Sequence, residues 1–217
     1  MRIRILRTLA AALALAAPAV VLAQSAAPES NSHVGHDKTA LCEGCHGIAG
    51  YRTAYPKVYH VPKLGGQQAG YIVSALTAYK EGHRSHPSMD DIARTLSQKD
   101  MEDVAAYYSS RTPPAGGREL LAALSEGESG NAALGKEKAA QVCAACHGAD
   151  GAKPSAPDQP ILAGQYEDYL VKALTDYKTG KRSNPIMKAF AGQLSKEDIE
   201  NVAAWFSSQH SRLHFQR

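Results

Sequence analysis

Two short segments of the chain, residues 41–46 (LCEGCH) and 142–147 (VCAACH), place cysteine and histidine in the same spacing. The side chains concerned are Cys42, Cys45 and His46 in the first segment and Cys143, Cys146 and His147 in the second. On a helix, positions i, i+3 and i+4 share one face, so each segment presents two thiols and an imidazole to the same side. Such a face fits a flat ligand that bonds both sulfurs at its edge and the histidine nitrogen at its centre.

This arrangement is typical of c-type haem, which forms two thioether bonds with cysteines and takes the adjacent histidine as an iron ligand. Three other interpretations compete with it. A zinc site can use two cysteine pairs, but zinc does not require a histidine directly after each pair. A thioredoxin-like redox pair needs a βαβ pattern, which neither segment has around it, and two disulfides explain only the even cysteine count. The histidine in both copies therefore favours two covalently bound haem c groups.

Two methionines are candidates for the remaining iron position of each haem. Met89 and Met187 lie 98 residues apart, each two residues after a proline, and we expect each in a loop that follows the second helix of its unit. A thioether is a soft ligand that favours reduced iron and raises the reduction potential. The alternative is a packing role, which we assign to Met101 because its counterpart 98 residues later is Ile199, on an apolar helix face.

The other histidines have no such support. His60, His83 and His86 compete as ligands of the first haem, but the positions 98 residues later hold Asp158, Lys181 and Asn184. We therefore expect all of the remaining histidines to be exposed, which is the ordinary state of this residue on a protein surface. They are His33, His36, His60, His83, His86, His210 and His214.

The elements that carry these residues are repeated. Residues 63–89 match 161–187, and 96–110 match 194–208, so the chain consists of two homologous units. Apolar residues recur at helical spacing in both copies, and Ser97 and Ser195 are each followed three residues later by an aspartate, which predicts N-caps. No convincing alternation of apolar and polar residues predicts strands. The sequence thus predicts an all-α fold of two tandem domains, each with about three main helices around one haem.

The units differ in one place, where the first carries three extra residues between its cysteine motif and Leu64. These fall in the tyrosine-rich segment YRTAYPKVYHVP, residues 51–62, for which the second unit has no good counterpart. We place the first domain at residues 24–112, a linker with prolines and glycines at 113–132, and the second domain at 133–217. Domains this small bury a limited core, so we expect the cofactors to complete the interior.

The first 23 residues predict a signal for export. Three arginines precede an almost wholly apolar run, residues 9–23, which ends in small residues. This run is shorter than the roughly 20 apolar residues of a membrane span, so we expect cleavage after Ala23, with an uncleaved anchor as the alternative. Removal of residues 1–23 leaves 21 basic and 21 acidic side chains. The balanced charge does not favour nucleic acid or an anionic membrane as a partner.

With both motifs and both methionines placed, the sequence resembles the periplasmic di-haem cytochromes c of the cytochrome c4 family over nearly the whole exported chain. The family pattern Pro-x-Leu-x-Gly is present at residues 62–66 (PKLGG) and, with alanine before the glycine, at 160–164 (PILAG). The resemblance implies that the carbonyl of this proline accepts a hydrogen bond from the haem-binding histidine. It also implies that the two domains pack with their haem edges facing each other.

Two arginines, Arg84 and Arg182, occupy equivalent positions of the repeat. We expect both to be solvated, with salt bridges to haem propionates as the alternative.

The resemblance further implies a periplasmic electron carrier rather than an enzyme, with no catalytic residues. Haems closed by His46 with Met89, and by His147 with Met187, leave no iron position open to a substrate. Expected partners are redox proteins, with a cytochrome bc complex or a dehydrogenase as donor and a terminal haem-copper oxidase as acceptor. We expect the protein to contact the membrane only through these partners. The alternatives are a haem subunit of a larger dehydrogenase, or a di-haem peroxidase or thiosulfate-oxidising enzyme.

Overall fold

The computed structural model describes residues 32–113 and 130–215, which form two helical units. The helices of the first unit are α1 Ser32–Asp37, α2 Ala40–His46, α3 Ala69–Lys80, α4 Pro87–Thr95 and α5 Gln98–Ser110. Those of the second are α6 Ala132–Val142, α7 Ala144–His147, α8 Glu167–Thr179, α9 Pro185–Gln193 and α10 Lys196–Ser207. The all-α class predicted from the helical periodicity is confirmed.

Each unit buries its own apolar core between its longer helices. The first core contains Ile72, Leu76, Met101, Val104, Ala105, Tyr107 and Tyr108, and the second contains Ala139, Leu170, Val202, Ala203 and Phe206. Met101, predicted as a packing residue, is 2% exposed. Full burial of one large aliphatic side chain stabilises a fold by about 1.5–3 kcal/mol. Burial of these apolar helix faces therefore accounts for how the helices of each unit pack together.

The first and last helices of each unit cross at a glycine. A Cβ atom on Gly35 of α1 would lie 2.1 Å from the carbonyl oxygen of Asp103 in α5. On Gly135 of α6 it would lie 1.9 Å from the carbonyl oxygen of Asn201 in α10. Neither position has room for a larger side chain, so glycine sets how closely the two helices approach.

The predicted helix starts at Ser97 and Ser195 are confirmed as capping boxes. Each serine hydroxyl accepts a hydrogen bond from the backbone N–H three residues later, at Asp100 or Asp198. Each aspartate carboxylate in turn accepts from the backbone N–H of its serine at 2.9 Å. These bonds satisfy donors that a helix start leaves unpaired, and so fix where α5 and α10 begin.

The tyrosine-rich segment of the first unit folds into a short hairpin, which the sequence did not predict. Strand β1, Arg52–Thr53, pairs antiparallel with β2, Tyr59–His60. Only two residues lie in each strand, too few for an alternating pattern to be recognised. The hairpin packs against α8 of the second unit, so the insertion joins the two halves of the molecule.

The end of the second unit also reaches the first. Gly65 and His214 exchange two backbone hydrogen bonds of 3.0 Å, which makes an isolated antiparallel bridge. Within the described ranges, no helix is both long and apolar enough to cross a membrane. The signal predicted for residues 1–23 and most of the predicted linker, residues 114–129, lie outside the described residues.

Candidate functional site

Both cysteine–histidine motifs lie on helices that line one cavity. In the first unit the whole motif belongs to α2, whereas in the second Cys143 stands at the junction where α6 ends and α7 begins. The cavity is continuous between the units and brings together seven of the eight predicted site residues. These are Cys42, Cys45, His46, Met89, Cys143, His147 and Met187, while Cys146 is not part of the lining.

No disulfide joins the four cysteines, so the two-disulfide interpretation is not realised. Burial raises the pKa of the Cys42 thiol to about 11, and burial does the same for Cys143. In the absence of a cofactor both thiols are therefore protonated and uncharged at neutral pH. In the described part of the chain, no group of three or more histidine, cysteine, aspartate or glutamate side chains is arranged to hold a metal ion by itself.

The two motif histidines are oriented in the way that the resemblance implies. Nδ1 of His46 lies 2.8 Å from the carbonyl oxygen of Pro62, and Nδ1 of His147 lies 3.2 Å from that of Pro160. A carbonyl only accepts, so each Nδ1 carries the proton and each Nε2 keeps its lone pair for iron. Burial lowers the pKa of both imidazoles, although the hydrogen bond to the carbonyl acts in the opposite direction. The lowered pKa keeps both rings neutral and able to bind a metal.

The two methionines lie in helices and not in loops, which corrects the sequence prediction. Met89 is the third residue of α4 and Met187 the third residue of α9, because each preceding proline occupies the first helical position, where its fixed φ is favourable. Asn184 caps α9 by accepting from the Met187 N–H at 3.0 Å. In the first unit His86 takes this place and makes no side-chain cap. The two methionines are thus held differently.

Arg84 and Arg182 are buried at the junction of the units, where the sequence predicted solvated side chains. They are 6% and 4% exposed and both donate to the hydroxyl of Tyr169, at 3.1 and 3.3 Å. Arg182 has the carboxylate of Asp176 at 3.7 Å, but no salt bridge joins Arg84 to a carboxylate of the described residues. The Nε of Arg84 is buried without a hydrogen-bond partner.

This cluster tests whether the site fits haem. A buried guanidinium is costly unless an anion compensates its charge, and both arginines line the cavity that holds the cysteine–histidine motifs. Burial raises the pKa of Tyr169, but the positive charges of Arg182 and Arg84 outweigh that effect and lower it. A cofactor with carboxylate groups would supply the missing anion, so the residues fit haem with its propionates.

Two histidines expected at the surface are buried between the units. His60, 6% exposed, donates from Nδ1 to the carboxylate of Asp168 at 2.8 Å, accepts at Nε2 from Arg52 at 3.0 Å, and stacks on Tyr166. His214 is 3% exposed beside Gly65. Both predictions were wrong because each histidine is covered by the other unit, which no local pattern reveals.

Two glutamines at the same junction, Gln67 and Gln165, were missed. They are 2% and 4% exposed, and each amide forms hydrogen bonds with the backbone of the other unit. The residues lie 98 positions apart, so the alignment of the repeat contained the signal that both units need glutamine at this position.

Comparisons with known proteins show what this chain is similar to. A family model described as cytochrome C oxidase, cbb3-type, subunit III matches residues 130–206. Cytochrome c4 of Pseudomonas aeruginosa is 31% identical over 183 residues, which cover 81% of this chain and 87% of that protein. The crystal structure of reduced cytochrome c4 from Pseudomonas stutzeri is similar with a TM-score of 0.64 at 30% identity, covering 84% of this chain and 100% of that one. A thiosulfate dehydrogenase electron acceptor of Stutzerimonas stutzeri is 32% identical, covering 77% of this chain and 78% of that protein.

Proposed function

The chain belongs to the cytochrome c4 family of di-haem c-type cytochromes, and from this premise we propose that it transfers electrons between redox proteins of the periplasm. It is an electron carrier with two covalently bound haem c groups as cofactors. The observation that supports the proposal most directly is the shared cavity, which is lined by both motif histidines, both methionines and three of the four cysteines. One enclosure for two redox groups suits electron passage from one to the other.

We assign the residues that hold the cofactors as follows. Cys42, Cys45, Cys143 and Cys146 would make the thioether bonds, and the iron ligands would be His46 and Met89 in the first unit and His147 and Met187 in the second. When bound, each haem supplies a one-electron couple between ferric and ferrous iron. The domains that carry them are residues 24–112 and 133–217, joined by the linker 113–132, after removal of a signal at residues 1–23.

The chain's own residues orient the groups that would hold each haem. The carbonyls of Pro62 and Pro160 hold the imidazole protons at Nδ1 and fix the ring planes. Met89 packs against the core of the first unit and lines the cavity, which holds its side chain beside the site. Sites that are closed on both faces favour outer-sphere electron transfer and offer no position for a substrate, so we propose a carrier without catalytic activity of its own.

The donor we propose is a cytochrome bc complex or a periplasmic dehydrogenase, and the acceptor a terminal haem-copper oxidase. A second candidate role, acceptor for a thiosulfate dehydrogenase, is favoured by the similarity to a protein with that description. The two roles are separated by mixing the oxidised protein with a thiosulfate dehydrogenase and thiosulfate. Reduction at a rate proportional to the concentration of this protein supports the second role, and reduction only through a bc complex with quinol supports the first.

A redox titration of the haem-loaded protein, followed by optical and EPR spectra, tests the ligand assignment. Met89→His and Met187→His should each lower the potential of one haem, because imidazole stabilises ferric iron more than a thioether does. We expect at least a tenfold change in the ratio of reduced to oxidised haem, or about 59 mV. Met101→Leu is the matched control, since this methionine belongs to the core and should leave both potentials unchanged.

The same preparation distinguishes a carrier from an enzyme. Two low-spin haems that do not react with carbon monoxide, cyanide or peroxide agree with the proposal. A persistent high-spin haem that binds these ligands in the native protein would contradict it and favour a di-haem peroxidase. A spectrum unaffected by either histidine variant would refute the corresponding methionine ligand.

A further inference from the structure

Gln67 and Gln165 form a symmetric pair of contacts between the units. Oε1 of Gln165 accepts from the backbone N–H of Lys63 at 3.0 Å, and its Nε2 donates to the Lys63 carbonyl at 3.1 Å. Oε1 of Gln67 accepts from the N–H of Ile161 at 2.8 Å, and its Nε2 donates to the Ile161 carbonyl at 3.0 Å. Each side-chain amide faces one backbone donor and one backbone acceptor, so its orientation is determined.

These contacts fall on the peptide groups that bind the iron-ligating histidines. The N–H of Lys63 and the carbonyl of Pro62 belong to the same peptide group, and that carbonyl accepts from Nδ1 of His46. The N–H of Ile161 likewise shares a peptide group with the carbonyl of Pro160, which accepts from Nδ1 of His147. A continuous chain of hydrogen bonds therefore runs from each glutamine, through one peptide group, to the histidine of the opposite unit.

Hydrogen bonds in such a chain strengthen one another. When a peptide N–H donates to an acceptor, electron density moves toward its carbonyl oxygen, which becomes a better acceptor for the next bond, with about 10–30% strengthening per bond. A stronger bond at Nδ1 gives the imidazole more anionic character and makes it a stronger electron donor through Nε2. Stronger donation stabilises ferric iron and lowers the reduction potential.

Each glutamine oxygen also accepts a hydrogen bond from the backbone of its own unit. Oε1 of Gln67 accepts from the N–H of Gln68 at 2.9 Å, and Oε1 of Gln165 accepts from the N–H of Tyr166 at 3.1 Å. These donors lie at the starts of α3 and α8, so each amide is anchored to a helix of its own unit while it reaches into the other. The position of one unit thereby sets the geometry of the chain that ends at the other unit's histidine.

We propose that Gln165 of the second unit adjusts the reduction potential of the first haem, and that Gln67 of the first unit adjusts that of the second. Each glutamine is a positioning residue that acts through a peptide group and a histidine. The inference rests on the proposed roles of His46 and His147 as iron ligands, and it is independent of which residue occupies the sixth position.

The test is the potential of each haem in Gln165→Leu and Gln67→Leu, measured by spectroelectrochemistry of the haem-loaded protein. The haems are assigned by their separate EPR signals. Gln165→Leu should raise the potential of the first haem, and Gln67→Leu that of the second. We expect about a threefold change in the reduced-to-oxidised ratio, equivalent to about 30 mV for one electron. The other haem should remain within a third of that shift.

The matched control is Gln68→Leu. Gln68 also crosses the junction, with its Nε2 donating to the carbonyl of Ala156 at 3.1 Å, but it does not contact a peptide group that binds a histidine. A purely structural role for the glutamines predicts that all three variants shift the potentials alike. Equal shifts in the three variants, a shift of the haem in the same unit, or no shift at all would each overturn the proposal.

Two further measurements apply if a leucine variant fails to bind haem. Gln165→Asn and Gln67→Asn keep the amide but withdraw it by one methylene, and should show the same crossed pattern. In the native protein, the amide protons of Lys63 and Ile161 should exchange slowly with solvent because both donate to a buried glutamine. Exchange at the rate of an exposed amide would refute the chain. An error in the methionine assignments would be visible in the Met89→His and Met187→His spectra and would leave the crossed pattern intact.

Discussion

Replacement of Gly135 by alanine sets two known effects against each other. Gly135 lies inside α6, where alanine is favoured over glycine by about 1 kcal/mol. The new Cβ atom, however, would lie 1.9 Å from the carbonyl oxygen of Asn201 and 3.0 Å from Cβ of Trp205 in α10. Since the closer atom is backbone, no side-chain rotation relieves the contact, and the two helices must separate by roughly 1 Å.

The packing effect should exceed the helix preference. Overpacking typically costs about 1–3 kcal/mol and sometimes more, and a rigid backbone contact belongs at the upper end of this range. Separation of α6 from α10 also loosens the core that contains Val202 and Phe206. We therefore expect Gly135→Ala to lower the free energy of unfolding by about 2 kcal/mol, which corresponds to a fall of about 4–8 °C in Tm for a chain of this size.

Thermal unfolding of the haem-loaded protein, followed by far-UV circular dichroism, measures this effect. Gly192→Ala is the matched control, because Gly192 lies in α9 and a Cβ atom there meets nothing within 4 Å. It should gain about 0.5–1 kcal/mol from helix preference alone. A Gly135→Ala protein as stable as the native one would refute the reasoning, since it would show that the helices move apart at no cost.

Three further predictions concern the junction between the units. Burial lowers the pKa of Lys63 from 10.5 to about 8, so the folded protein loses this proton first as pH rises. The free energy of unfolding should then increase between pH 8 and 10.5, by up to about 3 kcal/mol more than in Lys63→Met. Denaturant titrations across this pH range measure the difference, and identical pH profiles of the two proteins would contradict the prediction. Asp168→Ala removes the carboxylate that accepts hydrogen bonds from the ring and the backbone N–H of His60. It should lower the free energy of unfolding by about 1–3 kcal/mol in the same assay, and an unchanged denaturation midpoint would argue against the contact. Gly65→Ala would place Cβ 2.6 Å from the His214 ring, so the His214 amide should exchange faster with solvent, and unaltered exchange would show that the bridge tolerates the methyl group.

Local patterns were sufficient for most of the fold. The 3.6-residue periodicity predicted α3, α5, α8 and α10, because the buried face of an amphipathic helix is visible as apolar residues at helical spacing. The caps at Ser97 and Ser195 were predicted for the same reason, since their partners lie three residues away. The hairpin was missed because its strands contain two residues each. The methionines were expected in loops, whereas each lies in a helix whose first residue is the proline two positions before it.

Predictions failed where a residue is covered by the other unit. Arg84, Arg182, His60 and His214 were expected at the surface on the basis of residue type, and all four are buried. Burial of a charged or polar side chain depends on the partners that replace its water, and here those partners are separated by up to 149 residues of sequence, from Gly65 to His214. The repeat aligned the arginines with each other, but alignment does not say which surfaces meet.

The sequence by itself determined that the chain has two homologous helical units, each with two cysteines and a histidine in the same close spacing and a methionine at an equivalent position. These features are encoded within a few turns of helix, so residue spacing is enough to specify them. Only the tertiary structure decided that the motifs share one cavity, that two buried arginines flank it, and that Gln67 and Gln165 reach the histidine-binding peptide groups of opposite units. Such contacts depend on how one surface is packed on another, and that relation is not recorded in the spacing of residues along either unit.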